Sequence, residues 1–181
     1  MPFDPTYCPR CATALEPRPE HQTMRPTCPS CGFIWYRNPV PAAGVLIVSD
    51  GRVLLVRRKF EPRAGDWCIP AGFMEAGETP EEGIAREVGE ETSLTVESLS
   101  LIGVYEFLRM NQVIIAYHAK ARGEVVLSPE LVDYRTVAPE RVKCWPAGTG
   151  RALADWLVSR GIEPQWLELP PGKRATEIDV D

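Results

Sequence analysis

Three glutamates at helical spacing form the group of side chains best suited to chemistry. Glu87, Glu90 and Glu91 stand at positions i, i+3 and i+4, which places their carboxylates on one face of a helix. Like charges at these spacings repel by about 0.2–0.5 kcal/mol per pair, and the helix dipole disfavours anions near its C-terminus. A divalent cation would turn this repulsion into binding, and clustered carboxylates suit Mg²⁺ or Mn²⁺. The alternative is a solvated acidic face, which is the commoner meaning of a Glu-rich helix.

Four of the six cysteines form a second candidate site. Cys8-Pro-Arg-Cys11 and Cys28-Pro-Ser-Cys31 are two Cys-x-x-Cys pairs separated by sixteen residues. Two such pairs place four thiolates tetrahedrally around one Zn²⁺, and four sulfur ligands leave no open position for catalysis. The sequence therefore predicts a structural zinc site, in which His21, Cys68 and Cys144 take no part.

The helix that would carry the glutamates has a well-defined start. Thr79 is a candidate N-cap, and Pro80 suits the first helical position. Glu82 completes a Thr-x-x-Glu capping box. Gly72 and Gly77 precede the helix and permit a tight loop that brings backbone oxygens near the glutamates.

Apolar patterns on both sides of this helix predict a sheet. Asp50-Gly51 separates two aliphatic runs, which is a typical hairpin signal. The predicted elements are strands at 43–49, 52–58, 67–69 and 113–121 and a closing helix at 149–160. Strands combined with two helices predict an α/β domain in which helices flank a sheet.

The composition changes twice along the 181 residues. Residues 1–38 are rich in Pro and Cys, residues 39–161 carry the periodic apolar segments, and residues 162–181 contain Pro and end in acidic residues. A segment as short as the first cannot build its own hydrophobic core, so metal must stabilise it. We predict a zinc-binding module over 1–38, a packed domain over 39–161 and a C-terminal tail over 162–181.

Bulk properties argue against several classes of protein. The net charge of −5 disfavours a general nucleic-acid-binding protein, which needs a basic face. No run of about 18 apolar residues is present, so we expect no membrane span. No secretory signal is visible, and the cysteines are spaced for metal rather than for disulfides. We therefore expect a cytoplasmic protein.

Residues 72–94 resemble the Nudix box, G-x5-E-x7-R-E-U-x-E-E-x-G-U, in which U is a bulky aliphatic residue. The matching positions are Gly72, Glu78, Arg86, Glu87, Val88, Glu90, Glu91 and Leu94. Ser93 replaces the final glycine, which would ease a left-handed conformation, so we expect a cost of ~1 kcal/mol but no lost carboxylate. The order of the cysteine pairs, segments 36–39, 44–47, 53–58 and 65–75 is similar to zinc-ribbon Nudix hydrolases.

The resemblance implies a fold and a set of roles. The implied fold is a mixed β-sheet sandwiched between helices, preceded by a small zinc ribbon. The three box glutamates, with the carbonyl of Ala71, would bind the catalytic Mg²⁺ or Mn²⁺. The residues expected to shape the junction of loop and helix are Gly72, Glu78 and Arg86. The general base would be Glu90 or, on a later loop, Glu130.

Further side chains are candidates for contacts with substrate. Arg57 and Arg58 alternate faces of a strand, so at most one is expected to reach the substrate phosphates. Trp67 is a candidate for stacking on a base, as are Phe73, Tyr105 and Phe107, although aromatic residues near strands more often lie in the core. The expected partner is a small nucleotide, and a homodimer is compatible with the family.

The implied activity is metal-dependent hydrolysis of a nucleoside diphosphate linked to another moiety, as in ADP-ribose or FAD. It would give a mononucleotide and a second phosphate compound. Two alternatives stay open. An NADH pyrophosphatase would carry a downstream Ser-Gln-Pro-Trp-Pro-Phe-Pro motif, whereas residues 100–110 read SLIGVYEFLRM. A non-catalytic Nudix-like sensor would often have lost box carboxylates, and this chain keeps them all.

Overall fold

The computed structural model describes residues 4–61 and 63–168. The chain forms two compact units. The first, here called the ribbon unit, comprises Met1–Val40 and Leu108–Asn111, and the second, the sheet unit, comprises Pro41–Phe107 and Gln112–Asp181. Within the described ranges, no helix has both the length and the apolar character needed to span a membrane.

Eleven strands and two α-helices make up the regular structure of the described residues. The strands are β1 (Glu16–Glu20), β2 (Thr23–Thr27), β3 (Val40–Ser49), β4 (Arg52–Arg58), β5 (Trp67–Cys68), β6 (Ala71–Phe73), β7 (Thr95–Phe107), β8 (Gln112–Arg122), β9 (Leu131–Val137), β10 (Lys143–Cys144) and β11 (Gln165–Trp166). The helices are α1 (Pro80–Thr92) and α2 (Thr149–Val158), and Leu108–Met110 form a 3-10 turn.

Two similar turns carry the cysteines of the ribbon unit. In each turn the N–H after the second cysteine donates to the carbonyl of the first, from Ala12 to Cys8 at 2.9 Å and from Gly32 to Cys28 at 3.1 Å. Ala12 and Gly32 both have left-handed φ values, 58° and 74°, and this conformation closes a tight turn. The antiparallel strands β1 and β2 connect the two turns.

The sheet unit contains a seven-stranded sheet with the order β5-β4-β3-β8-β7, in which β6 also pairs with β3 and β9 with β4. The predicted hairpin of β3 and β4 is confirmed, with Val48 opposite Val53. Its two turn residues, Asp50 and Gly51, have φ values of 50° and 72°. Positive φ at both central residues matches the twist of a two-residue hairpin.

Strand β3 supplies side chains to two core layers. Val45 and Ile47 pack with Ile84 and Val88 of α1, whereas Leu46 packs in the cluster that contains the apolar side of α2. Successive side chains of a strand point to opposite faces. The two helices therefore cover opposite faces of the sheet.

Helix α1 begins as the sequence predicts. The N–H of Glu82 donates to the hydroxyl of Thr79 at 3.2 Å, and the N–H of Thr79 donates to the carboxylate of Glu82 at 2.8 Å, so the capping box is confirmed. Ser93, directly after the helix, has φ 60° and ψ 11°. This is the left-handed conformation expected where the box pattern has glycine.

Strands β7 and β9 have no counterpart among the predicted elements. β7 is an edge strand of the sheet, and Tyr105 is its single fully buried residue. The register of its pairing with β8 shifts twice, next to Ser98 and next to Gly103. Solvent on one side and bulges along the length both weaken the alternation of apolar residues by which a strand is recognised.

The C-terminal segment differs from the tail expected over 162–181. Ile162 and Leu167 pack against the core, and β11 pairs in parallel with β10. Their spacing follows neither the helical nor the strand period, so periodicity does not predict this docking. The rest of the expected tail, residues 169–181, lies outside the described residues.

Candidate active site

The strand before the α1 loop lies against the acidic face of the helix. β6 is held in the sheet by its pairing with β3, in which Ala71 lies opposite Gly44. A Cβ atom at Gly72 would lie only 2.0–2.2 Å from the carboxylate atoms of Glu87. Glycine at this position therefore allows the Glu87 carboxylate to contact the strand backbone.

Gly72→Ala is expected to displace the Glu87 carboxylate and to weaken Mn²⁺ binding by about tenfold or more, as changes in the surroundings of metal ligands do. Calorimetric titration with Mn²⁺ measures the change. Gly89→Ala is the matched control, because it lies on α1 and an added Cβ there meets no atom within 4 Å. Equal Mn²⁺ affinities for the two variants would contradict this role of Gly72.

Arg86 holds the carboxylates around it in place. Its guanidinium group lies 2.8 Å from Glu78, 2.8 Å from Glu87 and 3.1 Å from Glu90, and it also donates to the carbonyl of Phe73 at 3.0 Å. The hydrogen bond from Arg86 lowers the pKa of Glu78 to about 2. Glu78 therefore stays ionised beside Arg86 at the junction between loop and helix.

Glu91 carries the least compensated charge on this face. Its Oε2 atom is buried and has no hydrogen-bond partner among the described residues. Burial and the nearby charge of Glu87 raise the pKa of Glu91 to about 7, although Arg58 and the backbone of Ala71 favour the ionised form. A buried oxygen without a partner requires an explanation, and cation binding provides one.

The pKa of Glu91 makes cation binding sensitive to pH near neutrality. Below about pH 7 a cation must displace the proton of this carboxyl, whereas above it the cation meets the ionised form. We expect the apparent Mn²⁺ affinity to rise by up to about tenfold per pH unit until pH 7 and then to level off. Electron paramagnetic resonance of free Mn²⁺ measures this profile.

As the pH rises, the stability of the fold without a cation changes in the opposite direction to the Mn²⁺ affinity. The Glu91 pKa of about 7 lies above the unfolded value of about 4.3, so without a divalent cation the free energy of unfolding should fall as pH rises between these values. Glu124→Gln, at an exposed loop position, is the control. It should keep the native pH dependence of both the Mn²⁺ affinity and the free energy of unfolding. Mn²⁺ affinity that stays constant across this range would contradict the assignment.

The donor atoms along this face suit a hard divalent cation. Glu87, Glu90 and Glu91 offer only oxygen, the ligand that Mg²⁺ and Mn²⁺ prefer. Among the described residues, only the four cysteines bring three or more potential metal-ligand atoms of His, Cys, Asp or Glu within 4.8 Å of one another. The carboxylates of α1 are more widely spaced, and Mg²⁺, which keeps several waters and binds one or two carboxylates directly, fits such a set.

The four cysteine sulfurs form a compact cluster. The Sγ of Cys31 lies 3.6 Å from those of Cys8 and Cys11. The Sγ of Cys11 lies 3.5 Å from that of Cys28. A tetrahedron with Zn–S bonds of about 2.3 Å has edges of about 3.8 Å. All four cysteines are free of disulfides, so the cluster fits a structural Zn²⁺.

Comparison with known proteins establishes the family. Residues 38–157 match the NUDIX domain. The chain belongs to the Nudix family. A crystal structure of a NUDIX hydrolase from Nitrosomonas europaea is 30% identical, covers 90% of this chain and 96% of that one, and has a TM-score of 0.75. The predicted Nudix fold is therefore confirmed.

Two curated relatives have named substrates. An NAD-capped RNA hydrolase, NudC, from Pseudomonas aeruginosa is 34% identical over 159 residues, which is 85% of this chain and 56% of NudC. An ADP-ribose pyrophosphatase from Methanocaldococcus jannaschii is 44% identical over 70 residues, which is 39% of this chain and 41% of that protein. The chain spans about half the length of the curated relatives it matches.

The loop after β8 ends beside α1, the helix that carries the box glutamates. The N–H of Ser128 donates to the carbonyl of Glu91 at 3.0 Å, and the N–H of Val126 donates to that of Thr92 at 3.0 Å. These bonds satisfy carbonyls at the C-terminus of α1, which have no partner within the helix. Glu130 follows on this loop, close enough for its charge to raise the pKa of Glu91.

The two arginines at the end of β4 lie in different surroundings, as their alternation predicts. Arg57 donates from Nε to the carbonyl of Gly65 at 3.0 Å, and its guanidinium lies 5.9 Å from the ring centre of Trp67. The charge of Arg58 lowers the pKa of Glu91. The buried Nε of Arg58 has no partner among the described residues. Arg58 is therefore the better candidate for contact with a phosphate.

The aromatic candidates for base stacking differ in exposure. Trp67 is 4% exposed and lies in the core cluster beneath α2. The guanidinium of Arg135 lies 5.2 Å from its ring centre, and that of Arg57 lies at 5.9 Å. Trp67, a candidate for stacking on a base, therefore lies in the core, where aromatic residues near strands are more often found. Phe73, beside Gly72, is 56% exposed.

Sequence reasoning missed one buried carboxylate near this site. Asp66 is 3% exposed, and it accepts a hydrogen bond from Arg63 at 2.7 Å while its Oδ1 has no partner among the described residues. Its charge also acts on the pKa of Cys68, which burial raises to about 12. The signal in the sequence that could have identified Asp66 was its place as a polar residue between Gly65 and Trp67.

Proposed function

We propose that this Nudix protein hydrolyses a nucleoside diphosphate linked to a second moiety, such as ADP-ribose or FAD, with Mg²⁺ or Mn²⁺ as cofactor. The products are a mononucleotide and a second phosphate compound. The observation that carries the proposal is the buried Oε2 of Glu91, which has no partner among the described residues, on a helix that retains every box carboxylate. The name of the M. jannaschii relative supports ADP-ribose.

Glu87, Glu90 and Glu91, with the carbonyl of Ala71, would hold the catalytic cation. When bound, such an ion neutralises charge on the diphosphate oxygens and lowers the pKa of a water. Gly72 gives the carboxylate of Glu87 room against β6. The other residues of the junction keep that carboxylate oriented, because Glu78 fixes Arg86 and Arg86 fixes Glu87.

The remaining roles belong to side chains around the end of α1. Arg58, whose buried Nε has no partner among the described residues, would donate from its guanidinium group to a phosphate oxygen. Glu90 or Glu130 would accept the proton of the attacking water, and both are exposed. Phe73, also exposed, would stack on a ring of the substrate. Positioning and charge thus supply most of the rate acceleration.

The zinc ribbon would have a structural role, with Cys8, Cys11, Cys28 and Cys31 as ligands. Small nucleotides would be the main partners of the protein. The cytoplasmic location and the homodimer stay predictions from the sequence and the family.

A panel of substrates tests the proposal. ADP-ribose, FAD, NADH, diadenosine polyphosphates and nucleoside triphosphates are incubated with Mg²⁺ and with Mn²⁺, and the products are separated by chromatography. We expect the highest kcat/KM for ADP-ribose or FAD, with AMP as one product. Absence of turnover on every compound would overturn the proposal and favour a nucleotide sensor.

Cleavage of NADH is the second candidate function. NudC is named for the hydrolysis of NAD-capped RNA, and its alignment extends over 85% of this chain. This alignment is the observation that favours NADH. The absence of the Ser-Gln-Pro-Trp-Pro-Phe-Pro sequence from residues 100–110 argues against it. A kcat/KM for NADH about tenfold above that for ADP-ribose would select this candidate over the first.

A further inference from the structure

Arg58 and Asp66 lie opposite each other where β4 meets the chain just before β5. The register of the two strands places Arg57 opposite Trp67. The N–H of Arg58 donates to the carbonyl of Asp66 at 3.1 Å, which extends this pairing by one step. Side chains of directly opposite residues lie on the same face of a sheet. Asp66 therefore shares a face with Arg58, the candidate for contact with a phosphate.

A glycine bulge sets this pairing. The N–H of Gly65 donates to the carbonyl of Arg58 at 2.8 Å, so Gly65 and Asp66 together oppose Arg58. Gly65 has a φ of 85°, the left-handed conformation of a G1 bulge. The N–H of Asp66 donates to the carbonyl of Arg63 at 3.2 Å and closes the turn before the bulge. Bulges next to active sites commonly re-aim a side chain, and the residue that follows this bulged glycine is Asp66.

Both side chains bring charge into the interior. Asp66 is almost fully buried. Its Oδ1 atom and the Nε atom of Arg58 are buried and have no hydrogen-bond partner among the described residues. The interior disfavours an isolated charge strongly, so buried ionic groups are normally accompanied by an opposite charge. Asp66 and Arg58 supply opposite charges on one face of the sheet.

The ion pair with Arg63 accounts for only one oxygen of Asp66. The Nε of Arg63 donates to Oδ2 at 2.7 Å, and the Arg63 side chain is 46% exposed. An ion pair with a partner that solvent reaches contributes little to stability. Stabilisation of the turn alone therefore does not explain why the carboxylate of Asp66 is buried beside Arg58.

The charges of this region converge on the thiol of Cys68, which follows Trp67 in β5. Burial, the largest cause, raises the pKa of Cys68 to about 12, and the charges of Glu91 and Asp66 raise it further. The charges of Arg58 and Arg63 act on the same thiol in the opposite direction. Arg58 thus has two carboxylates in its neighbourhood, one of which is the proposed metal ligand Glu91.

We propose that Asp66 is a positioning residue, whose carboxylate holds the guanidinium of Arg58 in place for a phosphate of the substrate. The proposal rests on the function proposed above, in which Arg58 binds that phosphate. Asp66 balances the charge of Arg58, so the guanidinium does not pair with Glu91, and Glu91 stays available to the catalytic cation. Without the charge of Asp66, Glu91 is the carboxylate that attracts Arg58 away from the phosphate.

Asp66→Asn tests the proposal, because it removes the charge and keeps an oxygen that can accept the hydrogen bond from Arg63. At saturating Mg²⁺ we expect KM for ADP-ribose to rise by about fivefold or more and kcat to change by less than about twofold, since the weakened contact is made in both the ground and the transition state. Steady-state kinetics measure both constants. An unchanged KM would overturn the proposal.

Arg63→Gln is the matched control. It breaks the ion pair of the turn from the other partner and leaves the charge of Asp66 in place, so KM should stay within about twofold of the native value. A role of Asp66 confined to the turn would instead give Arg63→Gln the same rise in KM as Asp66→Asn. Equal KM values for the two variants would therefore contradict a role through Arg58.

A double-mutant cycle shows whether Asp66 acts through Arg58. Arg58→Gln alone is expected to raise KM by about tenfold or more, because a hydrogen bond between charged groups is lost. Addition of Asp66→Asn to this variant should raise KM by less than about a further twofold. If Asp66→Asn has the same effect in both backgrounds, Asp66 acts independently of Arg58 and the proposal is wrong.

Failure of this proposal and failure of the proposed function give different results. If the native chain does not hydrolyse ADP-ribose, the proposed function fails, and the dissociation constant of ADP-ribose with Mg²⁺, measured by calorimetry, replaces KM in the same comparisons. Turnover by the native chain with equal effects of Asp66→Asn and Arg63→Gln leaves the function standing and removes the positioning role. Thermal unfolding reports whether each variant is folded. If Arg58→Gln is not, the comparison of Asp66→Asn with Arg63→Gln decides.

Discussion

Glu91→Gln is expected to lower turnover of the best substrate by about a hundredfold or more, because a cation-binding charge is lost at the reacting diphosphate. Gln has nearly the same size as Glu, and its side-chain oxygen can still accept a hydrogen bond from the backbone of Ala71. The substitution therefore removes charge from the site without leaving a cavity in it.

The same variant is expected to be at least as stable as the native protein when no divalent cation is present. Burial and the charge of Glu87 raise the pKa of Glu91 to about 7, which means that the ionised carboxylate is unfavourable in the folded state. At about pH 8 the neutral Gln avoids this cost. Lower activity combined with an equal or higher melting temperature is a result that simple misfolding does not produce.

Glu124→Gln provides the control for both measurements. It makes the same chemical change at an exposed position of the loop that leads to Glu130, and its turnover should stay within about twofold of the native value. Steady-state kinetics with ADP-ribose and thermal unfolding with and without Mn²⁺ measure the outcome. Near-native turnover of Glu91→Gln would refute the assignment of the metal ligands.

Replacement of all four ribbon cysteines by Ser is expected to abolish zinc binding and to unfold the ribbon unit. The native chain should hold about one zinc, and structural zinc of this type contributes on the order of 10–16 kcal/mol to folding. Within residues 4–40, Cys8 and Cys28, at 3% and 1% exposure, are the only fully buried apolar residues. The described part of this unit therefore has no apolar core that could replace the metal.

Metal analysis and limited proteolysis measure this loss. The variant should lose its zinc and be cut rapidly between residues 8 and 31, while the sheet unit keeps its own core and resists the protease. Cys144→Ala is the control, since it removes a thiol that lies outside the cluster and should leave the zinc content unchanged. Native protein without zinc, or a serine variant that retains it, would refute the ribbon.

Features that depend on neighbouring residues could be predicted from the sequence. The capping box of α1 and the hairpin turn at Asp50-Gly51 are fixed by hydrogen bonds and dihedral preferences within a few residues. The acidic face of α1 follows from helical spacing in the same way.

The edge of the sheet and the C-terminal segment could not be predicted in this way. β7 is stabilised by pairing with β8 rather than by a pattern of its own. The docking of Ile162 and Leu167 depends on core residues contributed by other elements. Long-range contacts decide such features, and periodicity within a segment does not report them.

The sequence by itself determined which ligands this protein offers, namely four thiolates in two pairs and three carboxylates on one helical turn. The tertiary structure decided what surrounds each candidate: Trp67 lies in the core, and the charges of Arg58 and Glu130 act on the pKa of Glu91. The physical reason is range. Ligand type and local spacing are determined by residues close together in the sequence. Burial and electrostatic interactions depend on atoms that only folding brings together.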